Sequence, residues 1–99
     1  MPSLQYSERA ALDLRRIHDF IATEDPDRAD AAIALILDAM AMLQRHPLVG
    51  RVATDPLREL IISHGRSGYI ALYSHDVRRN RVFVKAIRHQ REAGFDEAT

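Results

Sequence analysis

The chain has 99 residues, 46% of them hydrophobic and 28% charged, which leaves room for one small domain with one core and excludes a disordered chain. It has no cysteine, which excludes disulfide staples and thiolate zinc sites, and its formal net charge of zero conceals an uneven spread of charge. No apolar stretch approaches membrane-spanning length, and "MPSLQYSERA" lacks a basic region followed by an apolar run, so a cytoplasmic chain without a secretory signal is expected.

In chain order, "SLQYS" reads as a short strand ending at Ser7, which is placed to cap a helix that opens on Glu8. Ala10, Leu14, Ile17 and Ile21 then recur at helical spacing and predict one apolar stripe on a helix from about Glu8 to Thr23. Asp25 followed by Pro26 reads as the cap and first residue of a second helix. Its inward face is expected to carry Ala29, Ile33, Ile36, Leu37, Met40 and Leu43, and Pro47 ends it. So short a link makes the two helices an antiparallel hairpin.

Beyond Pro47 the period changes. "PLVGRVATDP" reads as a connector, followed by three strand-like runs: "LRELIIS" (57–63), "GYIALYS" (68–74) and "RVFVKAI" (81–87). Short turn-rich links make them an antiparallel meander. The expected fold is α+β: a short N-terminal strand and a helix hairpin packed on a mainly antiparallel sheet, β-α-α-β-β-β, forming a single domain over residues 1–99. Strict alternation in the last strand puts Val82, Val84, Ala86 and Arg88 on one face and Arg81, Phe83, Lys85 and Ile87 on the other. Tyr69 and Tyr73 share a strand face, where aromatic residues are expected to pack.

Charge divides the chain. Met1 to Gly50 holds eight acidic residues and five arginines, whereas Arg51 to Arg91 holds nine basic residues against Asp55, Glu59 and Asp76. Thirteen of the fourteen basic residues are arginine, whose planar fork suits carboxylates and phosphates. A basic second half points to an acidic or polyanionic partner. The stretch "AIRHQREAGF" (86–95) sets five consecutive polar side chains after the last apolar strand residue, either a solvated exit from the sheet or a partner-facing edge.

The order of these elements, with "YSERAALDLRRIHDFIA", "DPDRADAAI", "LQRHPLVGR", "LRELIISHGRSGYIALY" and "RVFVKAIRHQRE", resembles the RelE/ParE superfamily of toxins from bacterial type II toxin–antitoxin systems over nearly the whole chain. The P-x-x-G-R connector followed by R-E-L is its most distinctive part. The resemblance implies a compact toxin held inactive by a cognate antitoxin from an adjacent gene, ParD-like, which lays an extended and helical segment across it. The ending H-x-x-R-E of His89 to Glu92 is similar to the ParE-like H-x-x-R-D, and the tail offers Phe95 where RelE-like nucleases tend to place a tyrosine. Both features favour the ParE-like branch, whose members resemble inhibitors of DNA gyrase that form no established hydrolytic site.

The alternative is a RelE-like, ribosome-dependent mRNA endonuclease, and a second alternative is a degenerate member that only binds antitoxin. Metal-independent RNA cleavage needs a base, an acid and cations around the phosphate. His89 has a near-neutral ordinary pKa, so it is the candidate acid or base, with Glu59 as a possible base. Arg88 and Arg91, with Arg58 or Arg66, would form the clamp. Under the binding reading, Arg58, Arg78, Arg79, Arg81, Arg88, His89 and Arg91 are the candidate target or antitoxin contacts. His89 alternatively caps the strand by bonding a turn carbonyl. His18, His46, His64 and His75 lack paired metal-ligand spacing, so neither a metal nor another cofactor is expected.

Overall fold

The computed structural model describes residues 1–64 and 67–90. Strand β1 (Ser3–Tyr6) leads into helices α1 (Glu8–Ala22) and α2 (Pro26–Arg45), followed by β2 (Arg51–Val52), β3 (Leu57–His64), β4 (Ser67–Asp76) and β5 (Arg81–His89). The expected α+β architecture is present, with one added strand. Among the described residues the sheet runs β1-β5-β4-β3-β2. β2 to β5 are antiparallel to their neighbours, while β1 lies parallel to the first half of β5, from Ser3 opposite Arg81 to Tyr6 opposite Val84.

Both helix starts follow their capping residues. The Ser7 hydroxyl accepts from the Ala10 amide at 2.9 Å, and the Asp25 carboxylate accepts from the Arg28 amide at 3.2 Å, with Pro26 at the first helical position. α1 buries Ala10, Asp13 and Ile17, and α2 buries Ala29, Ala32, Ile36, Met40 and Leu43. Leu37, expected on the inward face, is 41% exposed. It sits one residue, about 100°, beyond Ile36, and Ala32 completes the stripe instead. Opposite the helices the sheet supplies Leu60, Ile62, Tyr69, Ala71, Tyr73, Val82, Val84 and Ile87.

The face assignment in β5 differs from strict alternation. Tyr73 pairs with Val84 but Leu72 pairs with Ala86, so Lys85 is an extra residue in the ladder. Beyond it the facing is shifted by one: Ile87 joins Val82 and Val84 against the helices, while Ala86, also buried, turns to the other face opposite Leu72. A two-residue β2 inside the expected connector escaped the sequence reading because two residues show no alternation; Arg51 pairs with Glu59 and Val52 with Arg58.

The connector ahead of β2 is held from the sheet. The Tyr73 hydroxyl donates to the Pro47 carbonyl at 2.8 Å and accepts from the Gly50 amide at 2.9 Å. Burial raises the Tyr73 pKa, which keeps the donor proton in place. Arg58 donates to the Leu48 and Gly50 carbonyls at 3.1 and 2.7 Å. A Cβ on Gly50 would lie 2.6 Å from the Tyr73 hydroxyl and 2.8 Å from the Glu59 carbonyl oxygen, so only glycine fits there. At the other end of the helix pair, His18 Nε2 lies 2.8 Å from Asp30 and links α1 to α2.

Tyr73→Phe leaves the Pro47 carbonyl and Gly50 amide without their partner, and urea denaturation should show a loss of about 1–3 kcal/mol. Gly50→Ala should cost a similar amount, about 1–3 kcal/mol, through the overlap with Tyr73 and the Glu59 backbone. The Asp30 hydrogen bond raises the folded-state pKa of His18, so its stabilisation is complete below the unfolded value and fades as pH rises through the folded one. NMR titration should find that Asp30→Asn lowers the His18 pKa, with the stability difference between the two proteins shrinking as pH rises through the wild-type value.

Candidate functional site

The end of β5 is built by three strands and a helix. β4 pairs along one side of it, with Ile70 opposite Arg88 and Tyr69 opposite His89. On the other side β1 stops at Tyr6, and α1 supplies what a longer strand would have supplied. The Ser7 hydroxyl donates to the Lys85 carbonyl at 2.7 Å, and the Asp13 carboxylate accepts from the Ile87 amide at 2.9 Å. Asp13 is 5% exposed and is the one charged side chain buried among the described residues. Arg9 reaches its other oxygen at 3.3 Å, with Arg16 at 3.7 Å, so the buried carboxylate is both hydrogen-bonded and neutralised.

Arg88 and His89 alternate across the sheet, and the shifted facing decides which of them meets the helices. His89 lies on the helix side, where its ring meets Tyr69 edge-on with centroids 5.5 Å apart and an 87° interplanar angle. Arg88 lies on the face away from the helices, half-buried beside Ile70 and Ala86, and donates to the His89 carbonyl at 3.2 Å. Arg28, near the start of α2, lies close enough to Tyr69 to lower its pKa, against a larger rise from burial. The turn of the helix pair therefore stands beside this end of the sheet.

The remaining candidates are placed elsewhere. Arg58 holds the connector carbonyls, and Glu59, on the opposite face of β3, pairs with Arg51 at 3.0 Å. Glu59 stands opposite Leu72, which stands opposite Ala86, so two interstrand spacings, roughly 10 Å, separate it from β5. Arg78 and Arg79 are exposed in the β4–β5 turn with Val77, and the Asp76 carboxylate accepts from the Arg79 amide at 3.1 Å. Arg81 opens β5, donates to Gln5 at 3.0 Å and lies 4.9 Å over the Phe83 ring. That turn is roughly 25 Å of extended chain away from His89. Arg66 and Arg91, with Glu92 and Phe95, lie outside the described residues.

The candidates thus fall into a basic turn (Arg78, Arg79, Arg81), a strand end (Arg88, His89) and a structural pair (Arg58, Glu59). Among the described residues neither Arg58 and Glu59 nor Arg88 and His89 share a face of the sheet. Nor do three His, Asp or Glu side chains among them gather as metal ligands would. Asp13 was missed in the sequence reading. Its signal was its position, three residues after Ala10 and four before Ile17, on the apolar stripe itself.

The family model described as "ParE toxin of type II toxin-antitoxin system, parDE" matches residues 4–94. The chain is 35% identical over 92 residues to Toxin RelE3 of Caulobacter vibrioides, covering 93% of this chain and 98% of that protein. Among solved structures it is similar in fold to a chain of the chromosomal ParDE TA system from P. aeruginosa, with TM-score 0.73, 24% identity, and 88% of this chain and 94% of that one covered. A chain of the intact E. coli RelBE toxin–antitoxin complex has TM-score 0.62 and 13% identity, with 88% and 94% covered. With the match running over nearly all of the sequence, and a relative above 30% identity aligned end to end, the chain belongs to the ParE toxin family of type II toxin–antitoxin systems, within the RelE/ParE superfamily.

Proposed function

We propose that this toxin acts in the cytoplasm as a ParE-like inhibitor of DNA gyrase, recognising its target by binding rather than by cleaving a substrate. The observation that carries the reading is the divergence of Arg88 and His89 onto opposite faces, with Glu59 and Arg58 engaged in pairs of their own. General acid–base chemistry on a phosphate needs its groups within hydrogen-bond reach of one another's substrate atoms. Binding has no such requirement, and an arginine and a histidine flanking a strand end can contact two parts of one protein surface. A toxin of this family has a cognate antitoxin; we assign it as ParD-like, with acidic character matched to the arginines of the second half. Among the described residues no helix is long and apolar enough to cross a membrane, and no membrane role enters the reading.

One observation favours a second reading, cleavage of mRNA at the ribosome: the 35%-identical relative carries the name Toxin RelE3. The two are separated by testing purified toxin, freed of antitoxin, in a gyrase supercoiling assay alongside a translating-ribosome cleavage assay. Inhibited supercoiling with intact mRNA is the expected outcome; codon-phased mRNA cuts with normal supercoiling would select the nuclease. In the supercoiling assay Arg88→Ala/His89→Ala should raise the half-inhibitory concentration at least tenfold, about 1.4 kcal/mol of binding, with the fold intact by circular dichroism.

A further inference from the structure

A carboxylate in the middle of a buried helix stripe is costly, and packing does not explain it. Ala10 and Ile17 flank Asp13 on the inward face of α1, and alanine or leucine would continue that stripe without any ion to desolvate. What Asp13 does there is specific: it takes the Ile87 amide at 2.9 Å, on the side of β5 that β1 no longer covers. Ile87 lies two residues after the extra residue Lys85 and one before Arg88.

A strand carrying an extra residue has two competing registers beyond it, and a slip of one residue exchanges every side chain between the faces. In the observed register Arg88 is on the face away from the helices and His89 is against Tyr69. The slipped register would put Arg88 against the helices and turn His89 outward. Burial of Ile87, 1% exposed in the helix-side core, favours the observed register, because the slipped one would exchange it for Arg88. Ser7 holds the Lys85 carbonyl and so fixes the extra residue itself, but nothing in that contact fixes the residues after it. The Asp13 bond does.

We infer that Asp13 is a positioning residue of the toxin: through the Ile87 amide it holds the register that turns Arg88 away from the helices and His89 beside Tyr69. The inference rests on the reading of this strand end as the toxic surface. Asp13 touches no target itself; Arg9 and Arg16 lie beside its other oxygen and balance its charge.

The test compares Asp13→Ala, Asp13→Asn, Arg88→Ala/His89→Ala and the triple variant, expressed without antitoxin at matched soluble levels. Two readouts are taken: growth arrest, and the Tyr69–His89 ring contact seen as an NMR nuclear Overhauser effect. Asp13→Asn retains an acceptor oxygen and should retain both. Asp13→Ala should lose the ring contact and weaken growth arrest at least tenfold, and it should add no further loss to Arg88→Ala/His89→Ala. Where Asp13→Ala does not fold, Asp13→Thr takes its place; its hydroxyl can bond the carbonyl one turn back, and the same losses are expected.

A folded Asp13→Ala that keeps the ring contact overturns the inference. So does a loss of ring contact without loss of toxicity, or an additive loss in the triple variant, which marks plain destabilisation. Growth arrest is read independently of the target, so a failure to inhibit gyrase overturns the target assignment alone. A wild-type chain that does not arrest growth overturns the inference together with the toxic reading.

Discussion

Among the described residues half of β5 has no neighbouring strand on one side, and the way α1 replaces that neighbour is the constraint on which the rest of the structure depends. β1 is only four residues long, so beyond Val84 the outer edge of β5 would be a row of unpaired backbone groups facing the protein interior. Ser7 and Asp13 close it, one by donating to a carbonyl and the other by accepting from an amide. These two side chains fix where α1 crosses the sheet. α2 follows through its short link to α1, and its far end is tied back by Gln44, which donates to the Pro2 carbonyl at 2.9 Å. The core between helices and sheet is filled from both sides only when α1 lies at that position.

The family signature in the middle of the chain has a mechanical explanation. Pro47, Gly50 and Arg51, and then Arg58, Glu59 and Leu60, form one clamp rather than a catalytic centre. Tyr73 and Arg58 bind the backbone of the connector, Arg51 pairs with Glu59 across β2 and β3, and Leu60 enters the core. The glycine is required because the Tyr73 hydroxyl and the Glu59 carbonyl approach where a Cβ would be. A motif of charged residues in a toxin invites a chemical reading, yet here each charge has a partner within the fold. Under the proposed binding reading, the contact residues stand at the two ends of β5: the exposed turn of Arg78 and Arg79, and the strand end of Arg88 and His89.

That arrangement also gives the uneven charge of the chain a spatial meaning. Five of the eight acidic residues of the first half, Asp19, Glu24, Asp25, Asp27 and Asp30, gather around the turn between α1 and α2, where Asp30 and Asp19 flank His18. Several arginines of the second half are absorbed by Glu59, Asp76, Gln5 and backbone carbonyls. Exposed ion pairs of this kind contribute little to stability, which the buried core and the interior hydrogen bonds of Tyr73 and Asp13 supply instead.

The sequence by itself determined the element types, both helix caps, the helix hairpin and the antiparallel run of strands. Each of these is written in local spacing: Ser7 ahead of Glu8, Asp25 ahead of Pro26, and the period of Ala10, Ile17, Ile36 and Met40. It also identified the superfamily, because the order of local fragments survives without knowledge of their contacts. Only the tertiary structure decided which side chains face which way at the end of β5. Alternation assumes one residue per ladder position, and Lys85 breaks that assumption in a way no local pattern announces. The parallel pairing of β1 with β5, the partner of Asp13 and the engagement of Arg58 and Glu59 all join residues distant in the chain. Such contacts are settled by burial and hydrogen-bond satisfaction in three dimensions, which is why the candidate site was legible in its residue types and not in its geometry.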